Sequence, residues 1–153
     1  MKYTSLLLMV IGLSAVVGCG PQTVTVSGKI VFDGEPGQNI TVLFQGKAVG
    51  NVSPEAAVGK TDSAGRYSLS LVNSKKKGAM PGEYAVYLSW QNPNPDTSVD
   101  IESPDYKHVD QCPYKIPTRA KSGELMFTIP TTGTKEADFE FDSTKESFKP
   151  PKV

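Results

Sequence analysis

The chain has 153 residues, with 16 basic and 16 acidic side chains and a formal net charge of zero. That length is typical of one domain, and the balanced charge argues against a nucleic-acid partner, which would need a basic surface. Two cysteines argue against a disulfide-rich scaffold, and a single histidine excludes any active site that needs two.

The beginning of the chain has the layout of an export signal. Lys2 provides a short positive start, and residues 6–17 form a mostly apolar run of the length found in signal peptides. A transmembrane helix needs about 20 apolar residues, which is more than this run provides. We therefore interpret residues 1–18 as a cleaved signal peptide rather than as a buried helix.

The end of the apolar run, Val16-Val17-Gly18-Cys19, resembles the bacterial lipobox. The resemblance implies cleavage between Gly18 and Cys19, a diacylglyceryl group on the Cys19 sulfur, and an acyl chain such as palmitate on the new amine. Several acyl chains anchor a protein firmly where one chain is marginal. Residues 19–22 then form a lipidated tether. Gly20, in the place where Asp favours inner-membrane retention, favours the outer membrane or cell surface.

Beyond the tether, apolar and polar residues alternate with the period of two that is typical of β-strands. The alternating stretches are residues 23–32, 38–45, 57–61, 66–72, 83–90, 124–129 and 137–141. In residues 83–90 the apparent core face carries Tyr84 and Trp90, whereas Tyr87 faces outward. Seven strands without a convincing helix predict an all-β fold, an antiparallel β-sandwich, with a small closed barrel as the runner-up.

Residues 91–122 interrupt this rhythm with five prolines and little alternation. A loop of this length is usually functional or disordered, so it is the first place to look for a site. The candidate binding residues are Tyr87, Tyr106, His108, Cys112 and Tyr114.

Two other segments are interpreted as solvent-exposed. The lysine run Lys75–Lys77 is interpreted as a solvated hairpin tip rather than a contact for anionic head groups, and residues 143–153 are interpreted as a disordered tail.

Several segments together resemble carboxypeptidase regulatory-like domains. They are Val26–Pro36, the "T-D-x-x-G-x-Y" element in Gly59–Leu69, the "P-G-x-Y-x-V" element in Pro81–Val86, and the closing segments Ile116-Pro117, Ser122–Leu125 and Asp138–Phe141. The resemblance covers most of residues 23–142. It implies a seven-stranded, transthyretin-like (prealbumin-like) Greek-key sandwich in which residues 91–122, approximately, form a loop insertion.

The same resemblance implies no catalysis, because in carboxypeptidases this domain accompanies the zinc domain and is not itself catalytic. A zinc peptidase commonly needs two or three histidines, and His108 is alone here. The related hydroxyisourate hydrolase relies on several histidines and a C-terminal Tyr-Arg-Gly-Ser motif, whereas residues 65–68 carry those letters in another order. A Cys–His pair of Cys112 and His108 lacks an assignable orienting group. With Cys19 lipidated, Cys112 has no intrachain partner.

The sequence therefore predicts a non-catalytic, lipid-anchored β-sandwich of the cell envelope, acting as a structural or protein-interaction module without metal or cofactor. Its expected partners are the membrane, through Cys19, and an envelope protein or a cell-wall polymer. A glycan- or peptide-binding lipoprotein that uses the loop 91–122 is the alternative, and a hydrolase ranks third.

Overall fold

The computed structural model describes residues 22–48, 50, 53–93 and 112–143, and the backbone of residues 147–149. The predicted signal peptide, Cys19, Tyr106 and His108 lie outside the described residues.

The described residues form short strands and one short helix. They are β1 (Ser27–Phe32), β2 (Glu35–Pro36), β3 (Ile40–Gly46), β4 (Ala57–Lys60), β5 (Arg66–Ser68), β6 (Ser70–Leu71), β7 (Gly82–Trp90), α1 (Thr118–Ser122), β8 (Leu125–Ile129), β9 (Phe139–Asp142) and β10 (Ser147–Lys149). No helix in this part of the chain has the length and apolar character needed to cross a bilayer.

The strands form two five-stranded sheets. In the first, the order is β10-β9-β1-β2, and β5 also pairs with β1. In the second, the order is β6-β4-β3-β7-β8. Strands β1 and β9 are parallel, and the other named pairs are antiparallel. The prediction of an all-β sandwich is confirmed at this level.

The two sheets enclose one core, built from the side chains that the alternation predicts to face inward. Phe44 of the second sheet contacts Phe139 of the first, with ring centroids 6.3 Å apart in an edge-to-face arrangement. The predicted inward residues that are buried include Ile30, Phe32, Ile40, Val42, Phe44, Tyr67, Leu69, Leu71, Tyr84, Val86, Leu88, Leu125, Phe127, Ile129, Phe139 and Phe141. Trp90 is partly buried and packs against this core.

The strand boundaries differ from the seven predicted stretches. Residues 66–72, predicted as one strand, divide at Leu69: β5 pairs with β1 in one sheet and β6 with β4 in the other. Alternation continues across this division, because the buried face stays the same while the hydrogen-bonding partner changes.

Strand β2 closes a hairpin with β1 across Asp33-Gly34, whose φ values of 51° and 86° suit a two-residue turn.

Two segments expected to lack regular structure contain some. Helix α1 lies within the predicted insertion, between an extended Pro117 and a left-handed Gly123, and its Ala120 is buried. No helix was predicted there because five residues are too few to show a helical period. Within the predicted tail, β10 pairs with β9, and Phe148 lies opposite Phe141. Three residues are likewise too few for an alternation signal.

Candidate functional site

The described parts of the predicted loop meet at one end of the sandwich, which we call the Asn39 end. Strand β7 finishes here, because Trp90 is paired with Ile40 and the Gln91 N–H donates to the Asn39 carbonyl at 3.4 Å. Tyr114 returns to the same place, because its hydroxyl oxygen accepts from the Gln38 N–H at 2.9 Å. Gln91 and Tyr114, on either side of the segment 94–111, therefore both lie at the Asn39 end.

Tyr114 joins this returning segment to the first sheet. Its ring stacks on Phe32 with centroids 5.0 Å apart, and Phe32 stacks in turn on Phe141 at 5.2 Å. The Tyr114 hydroxyl also donates to the Pro36 carbonyl at 3.4 Å. Both the ring and the hydroxyl of this predicted binding residue thus hold the sandwich together, and its role in binding stays a prediction.

Cys112 is exposed beside Tyr114. Its thiol donates to the Tyr114 carbonyl at 3.3 Å, and it is the free cysteine of the described residues. An exposed thiol of this kind is open to reagents and to disulfide exchange. His108, which would complete a Cys–His pair, lies outside the described residues.

Tyr87 packs against the end of helix α1. It is half-buried on β7 opposite Leu43, and its ring lies so close to Gly123 that a Cβ there would overlap the ring. Gly123 also has a φ of 77°. A glycine is therefore favoured at this position for two reasons: the left-handed conformation that ends the helix and the close approach of the Tyr87 ring. The structure gives Tyr87 and Tyr114 separate packing partners, Gly123 and Phe32.

The buried polar side chains of the described ranges are used in structural hydrogen bonds. No group of three or more His, Cys, Asp or Glu side chains in these ranges is placed to hold a metal ion. Every buried side-chain nitrogen or oxygen there has a hydrogen-bond partner. Buried Thr61 illustrates this, because its hydroxyl oxygen accepts from the Ile40 N–H at 2.8 Å and joins β3 to the turn after β4.

The opposite end of the sandwich, which we call the Val24 end, holds the beginning of the described chain. Val24 and Ala79 exchange two backbone hydrogen bonds, of 2.8 and 3.0 Å. The Thr134 N–H donates to the Thr25 carbonyl at 2.9 Å. The start of the domain is therefore held between the segment before β7 and the segment before β9.

Glu55 is the residue at the Val24 end that sequence reasoning missed. Its carboxylate accepts from the Asn73 N–H at 2.7 Å and from the Ser74 N–H at 2.9 Å. The Ser74 N–H above all holds the pKa of Glu55 below its ordinary value, partial burial opposes this, and the Asn73 N–H and the Lys76 charge assist it. Nothing local in the sequence points to a contact across 18 residues.

Two buried tyrosines also hold backbone groups. The Tyr67 hydroxyl donates to the Ala137 carbonyl at 2.7 Å, and the Tyr84 hydroxyl donates to the Met80 carbonyl at 2.8 Å. Burial raises the pKa of Tyr67 well above its ordinary value and that of Tyr84 to about 12. Both groups therefore stay protonated as donors at neutral pH.

No protein-family model, curated protein or solved structure matches this chain.

Proposed function

We propose that this protein is a bacterial lipoprotein, exported and anchored to the envelope membrane through Cys19, on the outer membrane or cell surface. Its β-sandwich serves as a non-catalytic structural or protein-interaction module. The observation that carries the proposal is the order of Lys2, the apolar run 6–17 and Val16-Val17-Gly18-Cys19 at the start of the chain.

The position at which the sandwich begins supports the anchor. Val24, the first of the described residues with a backbone hydrogen bond to the rest of the domain, lies five positions after Cys19. An extended chain of that length spans at most about 17 Å. This is the arrangement expected of a folded domain carried on a short lipidated tether.

The carboxypeptidase regulatory-like, transthyretin-like kind of sandwich is part of the proposal. It is supported by what the quoted motifs do in the structure. In the "T-D-x-x-G-x-Y" element, the Asp62 carboxylate accepts from the Ala64 and Arg66 N–H groups at 2.9 Å each, and Gly65 takes a φ of 72°. The opening motif Val26–Pro36 contains the β1–β2 hairpin.

The module role is supported by the hydrogen bonds of side chains that could otherwise act in catalysis, because these side chains bind backbone groups of the sandwich. Tyr67, Tyr84 and Tyr114 donate hydrogen bonds to backbone carbonyls, and Glu55 accepts from two backbone N–H groups. These contacts stabilise the sandwich and fix its turns.

The test of the anchor is the mass of the N-terminal peptide of the protein purified from membranes. We expect a wild-type chain that begins at Cys19 and carries the mass of acyl chains. Cys19→Ala should remain an uncleaved precursor, and the matched control Cys112→Ala should be processed like the wild type. A mature chain without lipid, or normal processing of Cys19→Ala, would contradict the proposal.

The module role is tested by cross-linking in intact cells, followed by purification and mass spectrometry of what is attached. A recurrent protein partner supports the interaction role. Recovery with polysaccharide fragments alone would contradict it and favour the glycan-binding alternative.

A further inference from the structure

We propose that the hairpin carrying Lys75, Lys76 and Lys77, at the Val24 end, is a membrane-contact surface for anionic phospholipid head groups. The inference rests on the proposed lipid anchor at Cys19. From the sequence alone, the lysine hairpin is interpreted as a solvated tip. The inference instead assigns it a partner, the bilayer to which the same end of the sandwich would be anchored.

The backbone of the hairpin is held in one shape. The Leu71 N–H donates to the Lys76 carbonyl at 2.8 Å, and the Lys75 N–H donates to the Leu71 carbonyl at 3.1 Å. Glu55 holds the Asn73 and Ser74 N–H groups of the same turn. All three lysines are exposed. Their ammonium groups therefore project from a fixed backbone, so little backbone entropy is lost when they contact a surface.

The hairpin lies beside the start of the domain. Lys77 is two residues from Ala79, which exchanges two hydrogen bonds with Val24. Successive Cα atoms are about 3.8 Å apart, so the Lys77 backbone is within about 8 Å of Ala79. Val24 follows Cys19 by five positions, so a lipid on Cys19 would be held within about 17 Å of this end. With the proposed anchor, the lipid and the three lysines would therefore lie toward the same end of the sandwich.

This short tether makes a weak electrostatic contact effective. Attraction between exposed charges fades over about 8 Å at physiological ionic strength, so a freely diffusing neutral protein gains little from one small basic patch. A domain anchored by a short tether meets the bilayer at high effective concentration. A basic patch that is too weak to recruit a freely diffusing protein can therefore still orient an anchored one.

The described residues of the Val24 end carry a net positive charge. The Val24 end carries five lysines and three glutamates, one of which, Glu55, is bound to the turn itself. The residues concerned are Lys47, Lys75, Lys76, Lys77 and Lys135, with Glu55, Glu83 and Glu136. An anionic bilayer therefore attracts the Val24 end.

The test measures which end of the anchored protein approaches the lipid. The full chain is purified from membranes in a Cys112→Ser background, and a fluorophore is attached through Thr132→Cys or through Ser63→Cys. Thr132 is exposed in the turn before Thr134 at the Val24 end, and Ser63 is exposed in the turn at the Asn39 end. The protein is placed in vesicles of phosphatidylcholine, or of an equal mixture with phosphatidylglycerol, that carry a head-group quencher.

We expect the label at position 132 to be quenched more strongly than the label at position 63, and more strongly when phosphatidylglycerol is present. Replacing Lys75, Lys76 and Lys77 by Gln together should abolish the part that depends on phosphatidylglycerol. The matched control replaces Lys115, Arg119 and Lys121 by Gln, which removes the same charge elsewhere. The control should keep the full effect.

The outcomes separate this inference from the proposed anchor. Absence of lipid on Cys19, read from the peptide mass, rejects the anchor and the inference together. A lipidated protein that is quenched equally at both positions, or that keeps the phosphatidylglycerol effect without the three lysines, overturns the inference alone. Equal loss in the control variant would assign the effect to net charge and also overturn it. If quenching is unchanged after the three lysines are replaced, while soluble polyphosphate binds only when they are present, the partner of the hairpin is a polymer and the inference is overturned.

Discussion

The Tyr67 hydroxyl donates a hydrogen bond to the Ala137 carbonyl, joining side chain and backbone across 70 residues of sequence. Tyr67 lies on β5 and Ala137 just before β9, and both flank β1, the strand with which β5 and β9 pair. The Ala137 N–H in turn donates to the Ser27 carbonyl. One buried hydroxyl therefore holds both neighbours of β1 in register.

Replacing Tyr67 by Phe removes this donor and leaves the ring in place. We expect a loss of about 1–2 kcal/mol in the free energy of unfolding, because a buried carbonyl loses its partner. Urea denaturation measures it. Tyr84→Phe is the comparison, and we expect a smaller loss because the Tyr84–Met80 bond is only partly buried and water can replace the hydroxyl. Equal losses of unfolding free energy in the two variants would show that burial of the hydrogen bond does not determine its contribution to stability.

The same tyrosines predict weakening in alkali. Because burial raises the pKa of both groups in the folded protein, their contribution is complete below the unfolded tyrosine value of 10.0 and is lost as the pH rises through the folded pKa. For Tyr84 that loss extends to about pH 12. We expect the wild type to lose stability over this range and Tyr84→Phe to lose less, as followed by thermal unfolding. Parallel profiles would contradict the prediction.

Gly28 and Gly34 allow a test of two different reasons why a position requires glycine: lack of space for a Cβ and a left-handed backbone conformation. A Cβ on Gly28 would overlap the Ala137 carbonyl, whereas Gly34 has open space but a φ of 86°. We expect Gly28→Ala to cost about 3 kcal/mol or more, because backbone must move. Gly34→Ala should cost about 1–2 kcal/mol from left-handed strain alone. Chemical denaturation of the two variants gives the order, and a larger cost at Gly34 would refute it.

Glu55 predicts an acid-dependent stability. Its folded pKa is lowered, chiefly by the Ser74 N–H, so its contribution is present above the ordinary value of 4.5 and is lost as the pH falls through the lower folded pKa. We expect Glu55→Gln to lower the melting temperature at neutral pH and to differ less from the wild type in acid. Lys76→Gln leaves the backbone donors in place and should keep most of the acid dependence. A constant offset between Glu55→Gln and the wild type would argue against this.

Tyr114 predicts a link between the aromatic stack and the Cys112 thiol. Tyr114→Ala removes the ring that packs on Phe32, and we expect a loss of about 2 kcal/mol and faster thiol modification as the segment loosens. Tyr114→Phe keeps the ring and should react at nearly the wild-type rate. Rates of modification by a thiol reagent measure this. An unchanged rate in Tyr114→Ala would mean that the stack does not hold the segment.

Periodicity predicts which side chains face inward but not which strands become neighbours. Tyr84, Val86 and Leu88 are buried as predicted, because alternation reports the two faces of a strand directly. The change of sheet at Leu69 and the parallel pairing of β1 with β9 depend on contacts between distant segments, which alternation does not encode.

The candidate site divides in the same way. Loop length and proline content single out residues 91–122, and the structure places both described ends of that loop together at the Asn39 end. Tyr87 and Tyr114, chosen for their residue type, have packing partners that only the fold could reveal. Glu55 was missed because its partners are backbone N–H groups, which carry no residue-specific signal.

The parallel pairing of β1 with β9 also bears on how the chain matures. Ile30 lies opposite Phe139, so one of the earliest strands of the domain waits for one of the last. Contacts this far apart close slowly, because the intervening chain must be brought together first. If the chain is exported with its N-terminus leading, as proposed, β1 would emerge with the edge that pairs with β9 still open, although β2 and β5 could already pair with its other edge. Completion of the first sheet, and burial of Ile30 and Phe32, would be a late event that follows release of the C-terminal segment.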